Sequence, residues 1–237
     1  MTPDIVGTFG MHGDEKSPLL LQRWFDEHNI PFVGPVHEEA WEEDVRFIDR
    51  DPNRIFGEST DAVDERAKER FKQAVEGADV VLDVHSFRMD GEPMVLQLGD
   101  WPLPRSQHIW DIRAEDMTGT SGEFLQSRGI TVIPVEIPSA PCLTRRHLTM
   151  TRRILDDIVN DRRVEPQRRV TRTVVDADHS GVFVPRVKIG DEVSKGERLG
   201  VVKNRENHGV HSPSDGLVGQ LRPQDHLRVG NSVAGIE

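Results

Sequence analysis

The sequence predicts a layered α/β domain with a largely parallel sheet, followed by a small all-β unit. Three observations carry this. Short apolar runs alternate with segments of helical period through the first two thirds of the chain. Beyond a basic stretch at Arg162 to Arg172, β-branched segments are cut by glycine at brief intervals. Histidine and glutamate stand at the ends of the apolar runs, where open α/β sheets gather ligands. The boundary falls in the basic stretch, which gives residues 1–165 and 166–237 as the two expected domains.

In chain order, Ile5 to Phe9 is a short apolar run and reads as a buried strand. Ser17-Pro18 is an N-cap followed by proline at the first helical position, opening a helix to about His28. Ile30 to Val36 is apolar and punctuated by proline and glycine, a second strand with its turn. Asp44 to Phe56 has polar groups spaced too irregularly for a helix or a clean strand, so an ordered loop is expected. Ser59 or Thr60 caps a helix to about Glu76, stopped by Gly77, and the strand Val80 to His85 follows. Met94 to Leu98 reads as a strand and Ser106 to Ala114 as a helix. Thr120 or Ser121 caps a helix ending at Gly129, before a strand from Ile130 to Glu136. Leu143 to Arg163 is a long helix with Leu148, Ile154, Leu155, Ile158 and Val159 on a helical period.

Composition narrows the function. A net charge of −11 argues against nucleic acid as the main partner, because phosphate contacts need clustered Lys and Arg. No run approaches the 18 or so apolar residues of a membrane span, and the N-terminus lacks a basic-then-apolar signal, so a cytoplasmic protein is expected. The single cysteine, Cys142, excludes an intramolecular disulfide and a thiolate zinc cluster within one chain. Six lysines against 24 arginines, with acidic residues in excess, fit a surface adapted to high salt and equally an acidic protein from a GC-rich genome.

The chemistry gathers around Gly10-Met11-His12-Gly13-Asp14-Glu15, a histidine and a glutamate three residues apart on the loop after the first strand. Flanking glycines let that loop bend so that imidazole and carboxylate converge on one cation, a mixed N/O set that suits zinc. Short motifs of this kind occur often without metal. His85, at the end of its own apolar run, is the best third ligand. Two histidines and a carboxylate leave a coordination position for water, the mark of a catalytic site. Arg46, Asn53 and Arg54 offer planar, multi-donor groups that grip a carboxylate or polarise a carbonyl, although a solvated charge run would look the same. Glu136 ends its strand as His85 does and is the candidate base, against the reading of a solvated strand-end carboxylate.

Four segments, His12-Gly13-Asp14-Glu15, Arg46-Phe47-Ile48-Asp49-Arg50-Asp51-Pro52-Asn53-Arg54, Asp83-Val84-His85 and Val135-Glu136, resemble in order and spacing the aspartoacylase/succinylglutamate desuccinylase family of zinc-dependent amide hydrolases. The resemblance covers roughly residues 4 to 160. It implies a zinc carboxypeptidase-like three-layer domain with a mostly parallel or mixed sheet. It implies one zinc per chain on His12, Glu15 and His85, with Arg46 polarising the scissile carbonyl. Asn53 and Arg54 would hold the α-carboxylate of an N-acyl amino acid, and Glu136 would act as general base and then general acid. The family's Asp-Leu-Asn-Arg is Asp51-Pro52-Asn53-Arg54 here, and Asp14 stands where asparagine is commoner. Aspartoacylases bind a second carboxylate through an arginine and a tyrosine. This chain has only Arg128 between Gly119 and Glu136 and has no tyrosine, so the resemblance does not extend to N-acetylaspartate specificity.

The C-terminal segments Gly181 to Pro185, Gly190 to Val193, Lys195 to Gly200 and Ser212 to Gly216 resemble a biotinyl/lipoyl-type barrel. No lysine lies between Glu206 and Gly209, where a modified hairpin would fall, so a shape-filling domain is expected. A metallocarboxypeptidase acting on short peptides is the rival enzyme, and a non-catalytic binding protein with a relic site is the rival outside enzymes. The expected partner is a small N-acyl amino acid, with no nucleic acid or membrane, and a homo-oligomer is allowed.

Overall fold

A computed structural model gives the structure at residues 4–58, 63–97, 109–111, 118–160, 169–170, 173–229 and 232–237. The chain divides into two compact units. Met1–Phe87, Pro93–Ser139 and Thr144–Arg169 form one, and Arg88–Glu92, Ala140–Leu143 and Val170–Glu237 form the other.

The elements of the first unit begin with strand β1 (Ile5–Phe9), helix α1 (Gln22–Glu27), strand β2 (Phe32–Val33) and helices α2 (Glu38–Glu43) and α3 (Val63–Ala74). Strand β3 (Val80–Phe87) follows, and then β4 (Asp90–Gly91), which pairs within the second unit. Strands β5 (Met94–Gln97) and β6 (Ile109–Asp111), helix α4 (Ser121–Ser127), strand β7 (Thr131–Pro138), helix α5 (Arg145–Val159) and strand β8 (Arg169–Val170) complete the mixed α/β part. The seven-stranded sheet runs β2-β1-β3-β7-β5-β6-β8. β1 pairs in parallel with β2 and β3, and β3 with β7, whereas β5 runs antiparallel to β7.

The apolar runs of β3 and β7 are explained by burial on both faces. Alternate residues diverge. Leu82, Val84, Ile133, Val135 and Ile137 pack with Leu21, Trp24 and Phe25 and with Ile154 and Leu155 of α5. Val81 and Val132 pack instead with Ala67, Phe71 and Val75 of the α3 region and Leu125 of α4. α5 bears out its period: Leu148, Ile158 and Val159 also lie against the first cluster. Thr144 caps it by accepting from the His147 N–H at 3.3 Å.

Several sequence expectations are corrected. The helix expected over 18–28 is a 3-10 turn (Ser17–Leu21) joined to α1, with Lys16 in place of Ser17 at the N-cap. Proline at the first turn is there, but no side-chain cap accompanies it. The strand expected over 30–36 shrinks to Phe32–Val33. Ile109–Asp111 is a strand where a helix was expected, because it pairs in parallel with β5 and the sheet supplies its hydrogen bonds. The loop over 44–56 holds a short 3-10 turn at Pro52–Arg54, capped by Asp51. Ser59 and Thr60, Leu98, the rest of 106–114 and most of the basic stretch at 162–172 lie outside the described residues.

The second unit is antiparallel throughout its described pairs. Strands β9 (Thr173–Asp176), β10 (Gly181–Pro185), β11 (Glu192–Val193), β12 (Arg198–Lys203), β13 (Asn207–His211), β14 (Gly216–Leu221), β15 (Asp225–Leu227) and β16 (Ser232–Ile236) form two sheets. One is ordered β13-β12-β10-β15; the other is β11-β14-β16-β9, with β4 added on β14. Phe183, Leu199, Val218, Val233 and Ala234 fill its core. The β12–β13 turn is residues 204–206, so Asn207 to Gly209 belong to strand β13 and not to the hairpin tip. No described helix is long and apolar enough to cross a membrane.

Candidate metal and hydrolase site

The site assembles where β1, β3 and β7 end. β1 stops at Phe9, and Gly10, at φ +71°, turns the chain into the His12 loop. Gly13 is needed for a different reason: a Cβ there would lie 2.0 Å from the backbone carbon of Ala40 in α2. The same residue donates its N–H to the Arg46 carbonyl at 3.1 Å. The loop is thereby pressed between α2 and the segment that carries Arg46.

His12, Glu15 and His85 are all buried, at 2%, 5% and 6% exposure. One ligand atom from each lies within 4.8 Å of the others, the one group among the described residues with that property. His12 Nδ1 is 2.7 Å from Glu15 Oε1, and His85 Nδ1 is 3.0 Å from Glu15 Oε2. The other ring nitrogens face carboxylates too. His12 Nε2 donates to Asp51 Oδ1 at 3.0 Å, and His85 Nε2 donates to Asp83 Oδ2 at 3.1 Å. Because a carboxylate only accepts, these outer contacts hold a proton on each Nε2 and direct each Nδ1 inward. A pair of imidazole nitrogens and a carboxylate oxygen, backed by two more carboxylates, is a donor set that fits zinc.

The electrostatics point the same way. Burial opposes the charged form of His12, yet Glu15 and Asp51 outweigh it and its pKa is raised. Burial also opposes the charge on His85, but Asp83 and Glu15 hold its pKa well above the ordinary value. Burial would push Glu15 up, but the two histidines draw it well below the ordinary carboxylate range. The cluster of carboxylates therefore favours a cation at its centre, and a metal would displace protons from the two Nδ1 positions.

Glu136 pairs in register with His85 on the neighbouring strand, and alternation puts both on the face that carries Asp83. Glu136 retains some solvent access, yet desolvation is the first cause that lifts its pKa to about 7, with Glu15 adding to it and His85 opposing. A carboxyl with that pKa takes up and releases protons near neutrality. Arg46 reaches into the cluster: Nη1 donates to Glu15 Oε1 at 3.1 Å, and Nη2 lies 3.7 Å from Asp51 Oδ2. Its side chain keeps 46% exposure while both Nη atoms face the cluster's carboxylates. Asn53 Oδ1 accepts the Ser121 N–H at 2.8 Å. Arg54 is exposed and donates to the Asn53 carbonyl at 2.6 Å. The structure thus brings His12, Glu15, His85 and Arg46 into direct contact and sets Glu136 beside His85. Asn53 and Arg54 follow Asp51 on the same loop without a described bond to the cluster.

Two groups of clear consequence were not singled out from sequence. Asp83 sits two residues before His85, and period two alone places both on one face. It also accepts from Thr8 Oγ1 at 2.8 Å and Ser121 Oγ at 3.1 Å. Asp51 caps the 3-10 turn through the Asn53 N–H, and only the folded loop brings it to His12.

No family model and no curated protein matches the sequence. Solved structures do match by shape. A succinylglutamate desuccinylase/aspartoacylase from Rhodobacter sphaeroides superposes with a TM-score of 0.74 at 18% identity, covering 99% of this chain and 85% of that one. The product-bound ectoine utilization protein EutE from Ruegeria pomeroyi gives 0.79 at 18% identity, covering 100% and 86%. An aspartoacylase family protein from Mesorhizobium loti gives 0.69 at 20% identity, covering 100% and 86%. With the strand order and the buried histidine cluster in hand, these likenesses show that the chain has the mixed α/β fold of structures described as succinylglutamate desuccinylases and aspartoacylases.

Proposed function

We propose that the chain is a zinc-dependent hydrolase that cleaves the amide bond of an N-acyl amino acid. The observation that carries this reading is the convergence of His12, Glu15 and His85, with Glu136 beside His85 on the adjacent strand. Zinc held there would lower the pKa of a bound water to about 7 and polarise the substrate carbonyl. The rest falls to the chain's own groups. Glu136 receives the proton from the attacking water and returns it to the departing amine, a role its pKa of about 7 suits. Arg46 offers the donors not taken by Glu15 to the scissile carbonyl oxygen. Asn53 and Arg54 bind the α-carboxylate, and the Ser121 N–H orients the Asn53 amide for that contact.

This reading places the chemistry in residues 1–165, as a carboxypeptidase-like three-layer domain, and gives 166–237 a non-catalytic, barrel-like role. The structures similar in fold are described as desuccinylases and aspartoacylases, which supports a small acyl-amino acid as substrate. A cytoplasmic enzyme, alone or as a homo-oligomer, completes the proposal.

The test is a panel of N-acyl amino acids, their methyl esters and short peptides, run with metal analysis of the purified protein. A site built to pair a charge rejects ligands that lack it, so free acids should be cleaved and esters spared. Equal hydrolysis of acid and ester would remove Arg54 from the site. Preference for peptides would favour the metallocarboxypeptidase reading, and zinc-free protein without turnover the non-catalytic one.

A further inference from the structure

Among its described residues the loop that carries Arg46 and Asp51 has no strand or long helix of its own, yet both side chains meet the His12 cluster. One carboxylate ties down its middle. Asp64, the second residue of α3, is wholly buried. Its Oδ1 accepts from the Ile48 N–H at 3.1 Å, and its Oδ2 accepts from Asp49 at 2.9 Å and Arg50 at 2.8 Å. Three successive backbone N–H groups thus close on a single anion. A fourth donor comes from His37, whose Nε2 lies 2.6 Å from Oδ1 while its Nδ1 accepts the Ala40 N–H at the start of α2. Burial would push the Asp64 carboxyl up, but these donors hold it below its ordinary value.

We infer that Asp64 is a positioning residue for the hydrolase site: it sets the 48–50 backbone so that Asp51 orients His12 and Arg46 reaches Glu15. The inference rests on the proposed zinc site and adds a residue that touches neither metal nor substrate. The path is short. Asp64 holds residues 48–50, the next residue is Asp51, and Asp51 accepts the hydrogen bond from His12 Nε2. On the other side the Arg46 carbonyl receives the Gly13 N–H, so the same loop also braces the His12 turn.

The experiment compares full-length Asp64→Asn, Asp51→Asn and the double variant. Asparagine keeps the size but sets an amide against N–H groups that need an acceptor. Zinc affinity, measured by chelator competition, should fall about ten-fold in Asp64→Asn, the loss typical of groups that orient a ligand histidine. Added to Asp51→Asn, the change should cost clearly less affinity than it does alone, because the Asp51–His12 contact that carries most of its effect is already lost. Asp64→Glu keeps the charge and displaces it by one methylene, so it guards against a variant that does not fold. A positioning role requires affinity to fall there as well. Folded Asp64→Asn or Asp64→Glu with zinc affinity within about two-fold of wild type overturns the inference, as does an equal fold-loss in the Asp51→Asn background. Wild-type protein that binds zinc but cleaves no amide would sink the proposed function and leave this coupling standing. Wild-type protein that binds no zinc would overturn both.

Discussion

The two sides of the candidate site are built by different means. His85 and Glu136 leave neighbouring parallel strands in register, and the face they share is set by the pleat. Asp51, Asn53 and Arg54, with Arg46 before them, stand on a loop whose only regular structure among the described residues is a three-residue 3-10 turn. The strand side takes its geometry from the sheet's own hydrogen bonds, whereas the loop side borrows it from buried carboxylates, Asp64 above all. The contrast extends to solvent: the histidine cluster is buried, while Arg46 is half exposed and Arg54 exposed. Groups that hold a metal gain from a dry, rigid setting, and groups that meet an arriving carboxylate need an open one.

If that contrast is right, damage to the buried cluster should be absolute and damage to the loop graded. His12→Ala removes one of three proposed protein ligands, and metal analysis should find the variant without zinc; full occupancy would mean other ligands. Glu136→Gln keeps size and polarity but removes the basic oxygen, so turnover should fall by at least about 10² while zinc stays bound. Activity within a few-fold of wild type would leave Glu136 a strand-end carboxylate. On the loop side, Arg54→Ala should raise KM more than it lowers kcat, since an exposed donor contributes mainly uniform binding. A fall in kcat with KM unchanged would move Arg54 into the reacting centre and break the comparison.

The smallest effect concerns the brace behind the loop, where Glu39 of α2 accepts from Arg70 and Arg66 of α3 at 3.0 Å each. Burial opposes its charge, but the Arg70 hydrogen bond, then its own backbone N–H and the Arg66 hydrogen bond, together draw its pKa from 4.5 to about 2. A carboxylate depressed on folding adds stability above its unfolded pKa and loses it as pH falls through the folded value. Glu39→Gln should therefore be less stable than wild type above about pH 4.5, with the difference closing toward pH 2 in denaturant titrations. A gap that persists at low pH would assign the effect to packing.

The strand side was legible because its signals are local. An apolar run that carries histidine or glutamate near its end states the strand and the approximate position of the group: β1 falls at Ile5–Phe9 as expected, while β3 and β7 run on to Phe87 and Pro138, two residues past His85 and Glu136. α5 was legible for the same reason, its period being a property of adjacent residues. The loop side offered no period. Its Asp51-Pro52-Asn53-Arg54 could be read as chemistry, but the spacing does not say that Asp51 meets His12, 39 residues earlier. The expected helix at 106–114 failed at Ile109–Asp111 because pairing with β5 outweighs local propensity.

By itself, then, the sequence determined the alternation of strands and helices, the ends at which reactive groups sit, and the change to short β segments in the C-terminal third. The tertiary structure alone decided which carboxylates stand behind those groups. Alternation puts Asp83 on the face of His85, but nothing local marks Asp51 or Asp64, and each of those two acquires its role only when the fold brings distant donors against it. The reason is energetic. A carboxylate in solvent is held by water and fits any surface position, whereas a buried one is tolerated only where the fold supplies a full set of donors, and that set exists only once the chain is folded.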